Sequence, residues 1–119
     1  MITERDIQAQ IWQAMGRHAV LFRNNVGALV DKRSGHFVKF GLAKGSSDLI
    51  GWTRVKITQG MVGSTVAVFT AIEIKTKTGK PTEKQQHFIG RVKAAGGYAG
   101  VARSVKDAVG IIEKGVRDA

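Results

Sequence analysis

A chain of 119 residues, 43% of them hydrophobic and with a single proline, is long enough to bury one real core, so one compact domain over residues 1–119 is expected. The absence of cysteine excludes disulfides, thiolate catalysis and cysteine-based zinc sites, and it fits a reducing cytoplasm. Lysine and arginine outnumber aspartate and glutamate by 19 to 9, for a formal net charge of +10, which points to a polyanionic partner; nucleic acid fits better than a membrane, because no segment joins a large apolar face to a continuous basic one.

The N-terminus is charged from Glu4 onward, so it lacks the pattern of a signal peptide. The longest apolar stretch, Val66 to Ile72, is far too short to span a bilayer. Thr3 and Asp6 form a capping pair, and Ile7, Ile11, Trp12 and Met15 recur at helical spacing before Gly16. This predicts a first helix over 4–15, with Glu4 at its start and Ile7, Ile11 and Met15 facing the core. Ala19 to Phe22 reads as a β-run that leads into Arg23-Asn24-Asn25. Lys32 to Gly35 reads as a turn, and His36 to Phe40 as the strand returning to close a first hairpin.

A glycine- and serine-rich loop, Gly41 to Ser47, delivers Asp48 to a short strand, Leu49-Ile50, and Arg54 to Thr58 alternates in a β-type pattern. Val66 to Thr76 is the expected central strand. Ala67, Phe69, Ala71, Glu73 and Lys75 fall on one face and Val66, Val68, Ile72 and Ile74 on the other, so both faces should be covered. Thr82 with Gln85 forms a capping box for a second helix that Gly96-Gly97 stops. Tyr98 to Ala102 is a further strand, and Ser104 with Asp107 starts a last helix. The expected fold is α/β, with a mixed central sheet flanked by helices in the order α-β-β-β-β-α-β-α. Its closing β-α-β passage calls for a parallel pair of strands.

Within that frame Glu73 and Lys75 stand out, because charge at the end of an apolar strand is costly unless something offsets its desolvation. Two residues apart in a strand, they emerge on the same face. A divalent cation and a phosphate would supply the missing partners. Hydrolysis of a phosphodiester needs a positioned hydroxide and stabilisation of charge on the phosphorane, and hard cations held by carboxylate, carbonyl and water oxygens provide both. Asp48 and Glu73 can supply two carboxylates, and the backbone carbonyl of Ile74 lies beside them. Lys75 can hold the attacking water or a phosphate oxygen; as a general base it would need a much lowered pKa, so positioning is the role assigned.

Gly-x-x-Asp, a spacer and Glu-x-Lys together resemble the PD-(D/E)xK nuclease superfamily, with Ser47 where a proline usually stands. More narrowly, the chain resembles stand-alone phage and bacterial VRR-NUC domain proteins. The likeness runs through Arg23-Asn24-Asn25, Lys44 to Trp52, Ala71 to Thr76, Gly79 to Thr82, Gln85 to Ile89, Ala95-Gly96-Gly97 and Ala102-Arg103-Ser104. It implies a restriction-endonuclease-like core, dependence on Mg²⁺ or Mn²⁺, and cleavage of DNA by structure rather than sequence. Carried over residue by residue, it makes Asp48, Glu73 and Lys75 the catalytic trio, with Gln85 and Glu4 as further site residues. The ligands of the metal are then Asp48, Glu73 and the Ile74 carbonyl, with Glu4 able to approach. The resemblance also implies a homodimer suited to the two-fold symmetry of a four-way junction, acting in the cytoplasm of a bacterial or phage-infected cell.

Structural alternatives stand beside each assignment. Glu73 and Lys75 could form an ordinary salt bridge, Glu4 could serve only the helix macrodipole, and Gln85 could be only the partner of Thr82. Arg23, Asn25, Lys44, Lys77 and Lys80 are assigned to nucleic-acid contact, with a solvated basic rim as the alternative. His18, His36 and His87 lack metal-ligand spacing, and Ser46 and Ser47 lack a base partner. Branched DNA is the expected substrate; a nuclease for flaps or other DNA ends and a non-catalytic DNA-binding module are the competing functions.

Overall fold

The computed structural model describes residues 2–117. The chain forms two compact units, Met1–Thr53 and Arg54–Ala119.

In the first unit, helix α1 (Glu4–Met15) starts at Thr3, whose hydroxyl accepts the Asp6 N–H while the Asp6 carboxylate accepts the Thr3 N–H. This is the capping box expected from the sequence. Ile7 and Ile11 are each 46% exposed and no residue of α1 is buried, so the helix does not bury the apolar face that its periodicity predicts. It is tied instead by Trp12, whose indole N–H donates to the Leu21 carbonyl at 2.9 Å. That carbonyl belongs to β1 (Val20–Arg23), which pairs antiparallel with β4 (Leu49–Trp52). Phe22 and Trp52 lie on one face of this ladder, their ring centroids 5.6 Å apart, the diagonal spacing at which aromatic side chains meet across strands.

The expected first hairpin is corrected. The strand that returns is β3 (Phe37–Phe40), but its partner is β2 (Gly27–Val30), not the Ala19 to Phe22 run. Asp31 explains the turn: its carbonyl and side chain accept the N–H groups of Gly35 and Arg33, closing the loop before β1 could be reached. Gly35 takes a φ of +74° there, a conformation glycine adopts without steric cost.

In the second unit, β5 (Thr70–Ile74) and β6 (Tyr98–Ala102) pair in parallel through helix α2 (Glu83–Ala94), as the β-α-β reading predicts. Thr82 and Gln85 form the capping box of α2, and Gly96 ends it with a φ of +98°. Helix α3 (Val105–Arg117) starts from Ser104, whose hydroxyl accepts the Asp107 N–H, and it seats on β6, where Ile111 meets Gly100 and Tyr98 meets Gly115. Among the described residues, Val92 of α2 with Ala99 and Ala102 of β6 are the buried apolar ones. Small side chains on β6 thus let both helices approach the ladder closely.

Three sequence expectations differ here. Arg54 to Thr58 forms no strand: Val55 and Ile57 stand 61% and 71% exposed, since alternation marks a potential face but supplies no partner strand. β5 begins at Thr70, and the Phe69 carbonyl before it extends the ladder by accepting the Tyr98 N–H. The faces of β5 are also unequal, with Ala71, Glu73 and Lys75 half-buried while Ile72 and Ile74 are exposed. α2 covers the former side, whereas α3 lies chiefly on β6 and leaves the end of β5 open. The described residues thus form a mixed α/β structure with three helices and three separate two-stranded ladders, where one central sheet and four strands before α2 are expected.

Candidate active site

Glu73 and Lys75 emerge on the face of β5 that α2 covers, both half-buried. Among the described residues no ion pair joins them, so the ordinary salt bridge is not what holds them. Glu73 lines a hollow of about 320 Å³ with Ala71, Lys84, Gln85, Phe88 and Ile89. One carboxylate therefore sits in an apolar-walled recess with two polar groups from the first turns of a helix.

Gln85 belongs to both structures. Its Oε1 accepts the Thr82 N–H at 2.9 Å and its own N–H donates to the Thr82 hydroxyl at 3.1 Å. With Oε1 engaged in the cap, the side-chain NH₂ is the part left to serve the hollow. The capping role and a place beside Glu73 are thus both present.

Ladder parity settles where the Ile74 backbone points. Lys75 donates its N–H to the Ala102 carbonyl at 3.1 Å, and the Phe69 carbonyl accepts from Tyr98 at 2.9 Å. In a parallel pair alternate residues face the neighbour, so Phe69, Ala71, Glu73 and Lys75 turn their peptide groups to β6. Ile74 turns its carbonyl to the opposite edge of β5, where no strand pairs among the described residues. A hard oxygen stands free at the position the sequence assigns as a ligand. Beyond the strand, Lys77 and Lys80 are exposed on the loop to α2.

In the first unit Asp48 is exposed at the entrance to β4 and shares a hollow of about 400 Å³ with Glu4, Ile7, Gln8, Ile11 and Leu49. Glu4 thus stands by the same recess as Asp48, whatever it also contributes to the dipole of α1. Arg23, Asn25 and Lys44 are all exposed around this end of the unit. Asn24 between them does something different. Its side-chain NH₂ donates to the Ser46 hydroxyl at 2.7 Å and the Ser47 carbonyl at 2.9 Å, and its Oδ1 accepts the Leu42 N–H at 3.0 Å. Its backbone N–H donates to the Asp48 carbonyl at 2.8 Å. Asn24 therefore fixes the loop that carries Lys44 and Asp48.

Sequence reasoning assigned no site role to Gln8, Asn24, Lys84 or Arg103. For Asn24 a signal exists, an amide inside a polar triplet facing a serine-rich loop, since asparagine satisfies backbone groups that such loops leave unpaired. Lys84 sits one position before Gln85, where only the helix geometry shows that it borders the recess. The structure brings Glu4 together with Asp48 in one unit and Glu73 with Gln85 in the other. Among the described residues no group of three or more His, Asp or Glu side chains forms a ready-made metal cluster. The donors are nonetheless of one chemical kind, carboxylate and carbonyl oxygens, which suit Mg²⁺ or Mn²⁺ and not a soft metal.

Among the described residues no helix is long and apolar enough to cross a membrane. No curated protein and no solved structure matches the chain significantly. The family model of the VRR-NUC domain matches residues 2–106, a span that contains every candidate residue above. The chain therefore belongs to the VRR-NUC domain family, which makes it a nuclease-type hydrolase with DNA as the implied substrate.

Proposed function

We propose that this chain is a divalent-metal-dependent, structure-selective DNA endonuclease that cuts branched DNA, four-way junctions above all, as a homodimer. The observation that carries the proposal is Glu73, half-buried beside the Gln85 amide, with Lys75 on its face and the Ile74 carbonyl at a strand edge unpaired among the described residues. The donors proposed for Mg²⁺ or Mn²⁺ are Asp48, with Glu4 near it as a further carboxylate, and Glu73 with the Ile74 carbonyl. When bound, the ion supplies an acidified water and offsets charge on the phosphorane. Lys75 orients the nucleophilic water or a phosphate oxygen, and the NH₂ of Gln85 donates to the phosphate. Arg23, Asn25, Lys44, Lys77 and Lys80 grip the backbone, which positions DNA without reading sequence. The exposed apolar residues of the β2–β3 hairpin, among them Leu29 and Phe37, are the candidate dimer surface.

Cleavage of four-way junction, flap and linear duplex substrates with Mg²⁺ or Mn²⁺ tests this. Wild type should prefer the junction, and Asp48→Ala and Glu73→Gln should each lower cutting by roughly a hundredfold or more. Unchanged cutting by Asp48→Ala would sink the catalytic assignment. Preference for flaps or ends moves the enzyme to those substrates, while binding without metal-dependent cutting makes it a DNA-binding module. A monomeric mass with and without junction DNA would remove the homodimer.

A further inference from the structure

We propose that Arg103 is a positioning residue that shapes loop 76–80 into a seat for a phosphate of the DNA backbone; this rests on the reading of Lys77 and Lys80 as DNA contacts. Arg103 follows β6 directly, one residue past the Ala102 carbonyl that takes the Lys75 N–H. Its Nη1 lies within hydrogen-bond reach of the carbonyls of Thr76, Lys77 and Gly79. A guanidinium nitrogen of this kind has two hydrogens, so the three carbonyls crowd around one donor group. Among the described residues no ion pair neutralises it, and the Asp107 carboxylate accepts the backbone N–H of Arg103 at 2.9 Å. The charge of Arg103 therefore stays within the loop.

Turning those carbonyls inward has a consequence on the other side. No peptide bond here is cis, and in a trans peptide the C=O and N–H point in opposite directions. The N–H groups of Lys77, Thr78 and Lys80, partners of the three engaged carbonyls, thus point away from the guanidinium. Among the described residues none of these three donates to a protein acceptor. Gly79 alone turns its N–H inward, to the Thr76 hydroxyl at 3.3 Å. Each of these outward N–H groups is open to a phosphate oxygen, a contact that backbone amides commonly make to a nucleic-acid strand. Lys77 and Lys80, both exposed, stand on the same loop, and Arg103 lies on its carbonyl side. A phosphodiester oxygen is the ligand such a surface fits, and the loop leaves β5 immediately after Glu73 and Lys75.

Fluorescence anisotropy of labelled duplex DNA in EDTA reads binding without cutting. Wild type, Arg103→Ala, Arg103→Lys, Lys77→Ala/Lys80→Ala and the combined variants complete a double-mutant cycle. Arg103→Ala and Arg103→Lys should each weaken binding by about fivefold, because a lysine keeps the charge but not the planar donor geometry. In the Lys77→Ala/Lys80→Ala background the same Arg103 changes should cost less than about twofold, since Arg103 acts through the loop. Wild-type binding by Arg103→Lys, or losses that simply multiply, would overturn the positioning role. Wild-type binding by Lys77→Ala/Lys80→Ala would instead overturn the reading of the loop as a DNA contact. Thermal melts accompany every variant, and if Arg103→Ala does not fold the Arg103→Lys arm of the cycle decides.

Discussion

Gln85 divides its side chain between two tasks, an oxygen that caps α2 and an NH₂ that borders the Glu73 hollow. The tasks separate experimentally. Gln85→Glu keeps a capping-box acceptor at the same position, so stability should change by less than about 0.5 kcal/mol, while loss of the donors should slow DNA cleavage by about tenfold. Gln85→Ala removes both and should also cost about 1 kcal/mol in denaturant unfolding. Asp6 shows the corresponding pairing in α1, where the Thr3 N–H first and its hydroxyl second hold the carboxyl below its ordinary value of 3.8. A carboxyl whose value is depressed on folding stabilises the fold above the unfolded value and loses that contribution as pH falls through the folded one. Acid unfolding followed by circular dichroism should therefore show a shallower loss in Asp6→Asn than in wild type. These two caps were legible in the sequence because a cap is a local pattern of two residues three apart. For Asn24 the sequence offers the amide and the serine-rich loop but not their pairing, because its partners lie between Leu42 and Asp48, far along the chain.

Among the elements, the β5–α2–β6 passage is the most tightly determined. A Cβ added to Gly97 would lie 2.7 Å from both the Phe69 carbonyl oxygen and a Val92 methyl, at the point where the chain leaves α2 and starts the parallel ladder. Gly97→Ala should therefore destabilise the protein by about 1–3 kcal/mol in urea titration, through overpacking and not through any demand on φ. The same passage was readable in advance: a capping box, a Gly-Gly stop and a strand of small residues agree with one another. The strands of the other half were harder. Ala19 to Phe22 and Gly27 to Val30 are both β-prone, and only the Asp31 turn and the Asn24 bonds decide which of them reaches β3 and which reaches β4. Pairing partners are a tertiary property, so periodicity alone assigned the hairpin to the wrong strand.

At the scale of the molecule, the net charge of +10 and the family membership agree on a polyanionic substrate, and both follow from composition and motif without coordinates. The placement of the site residues is only partly of that kind. Glu73 with Lys75 follows from strand parity, but the pairing of Glu4 with Asp48 needs the β1–β4 ladder beneath α1. The division of aromatic residues between the units has a consequence for spectroscopy. Trp12, bonded to Leu21, and Trp52, against Phe22, both lie in the unit that ends at Thr53 and are the only tryptophans in the chain. Tryptophan emission therefore arises from that unit, while far-ultraviolet circular dichroism is weighted to the other, which holds two of the three helices among the described residues. Should the two signals change at one denaturant midpoint, the units unfold as a single cooperative body; separate midpoints would resolve each in its own colour.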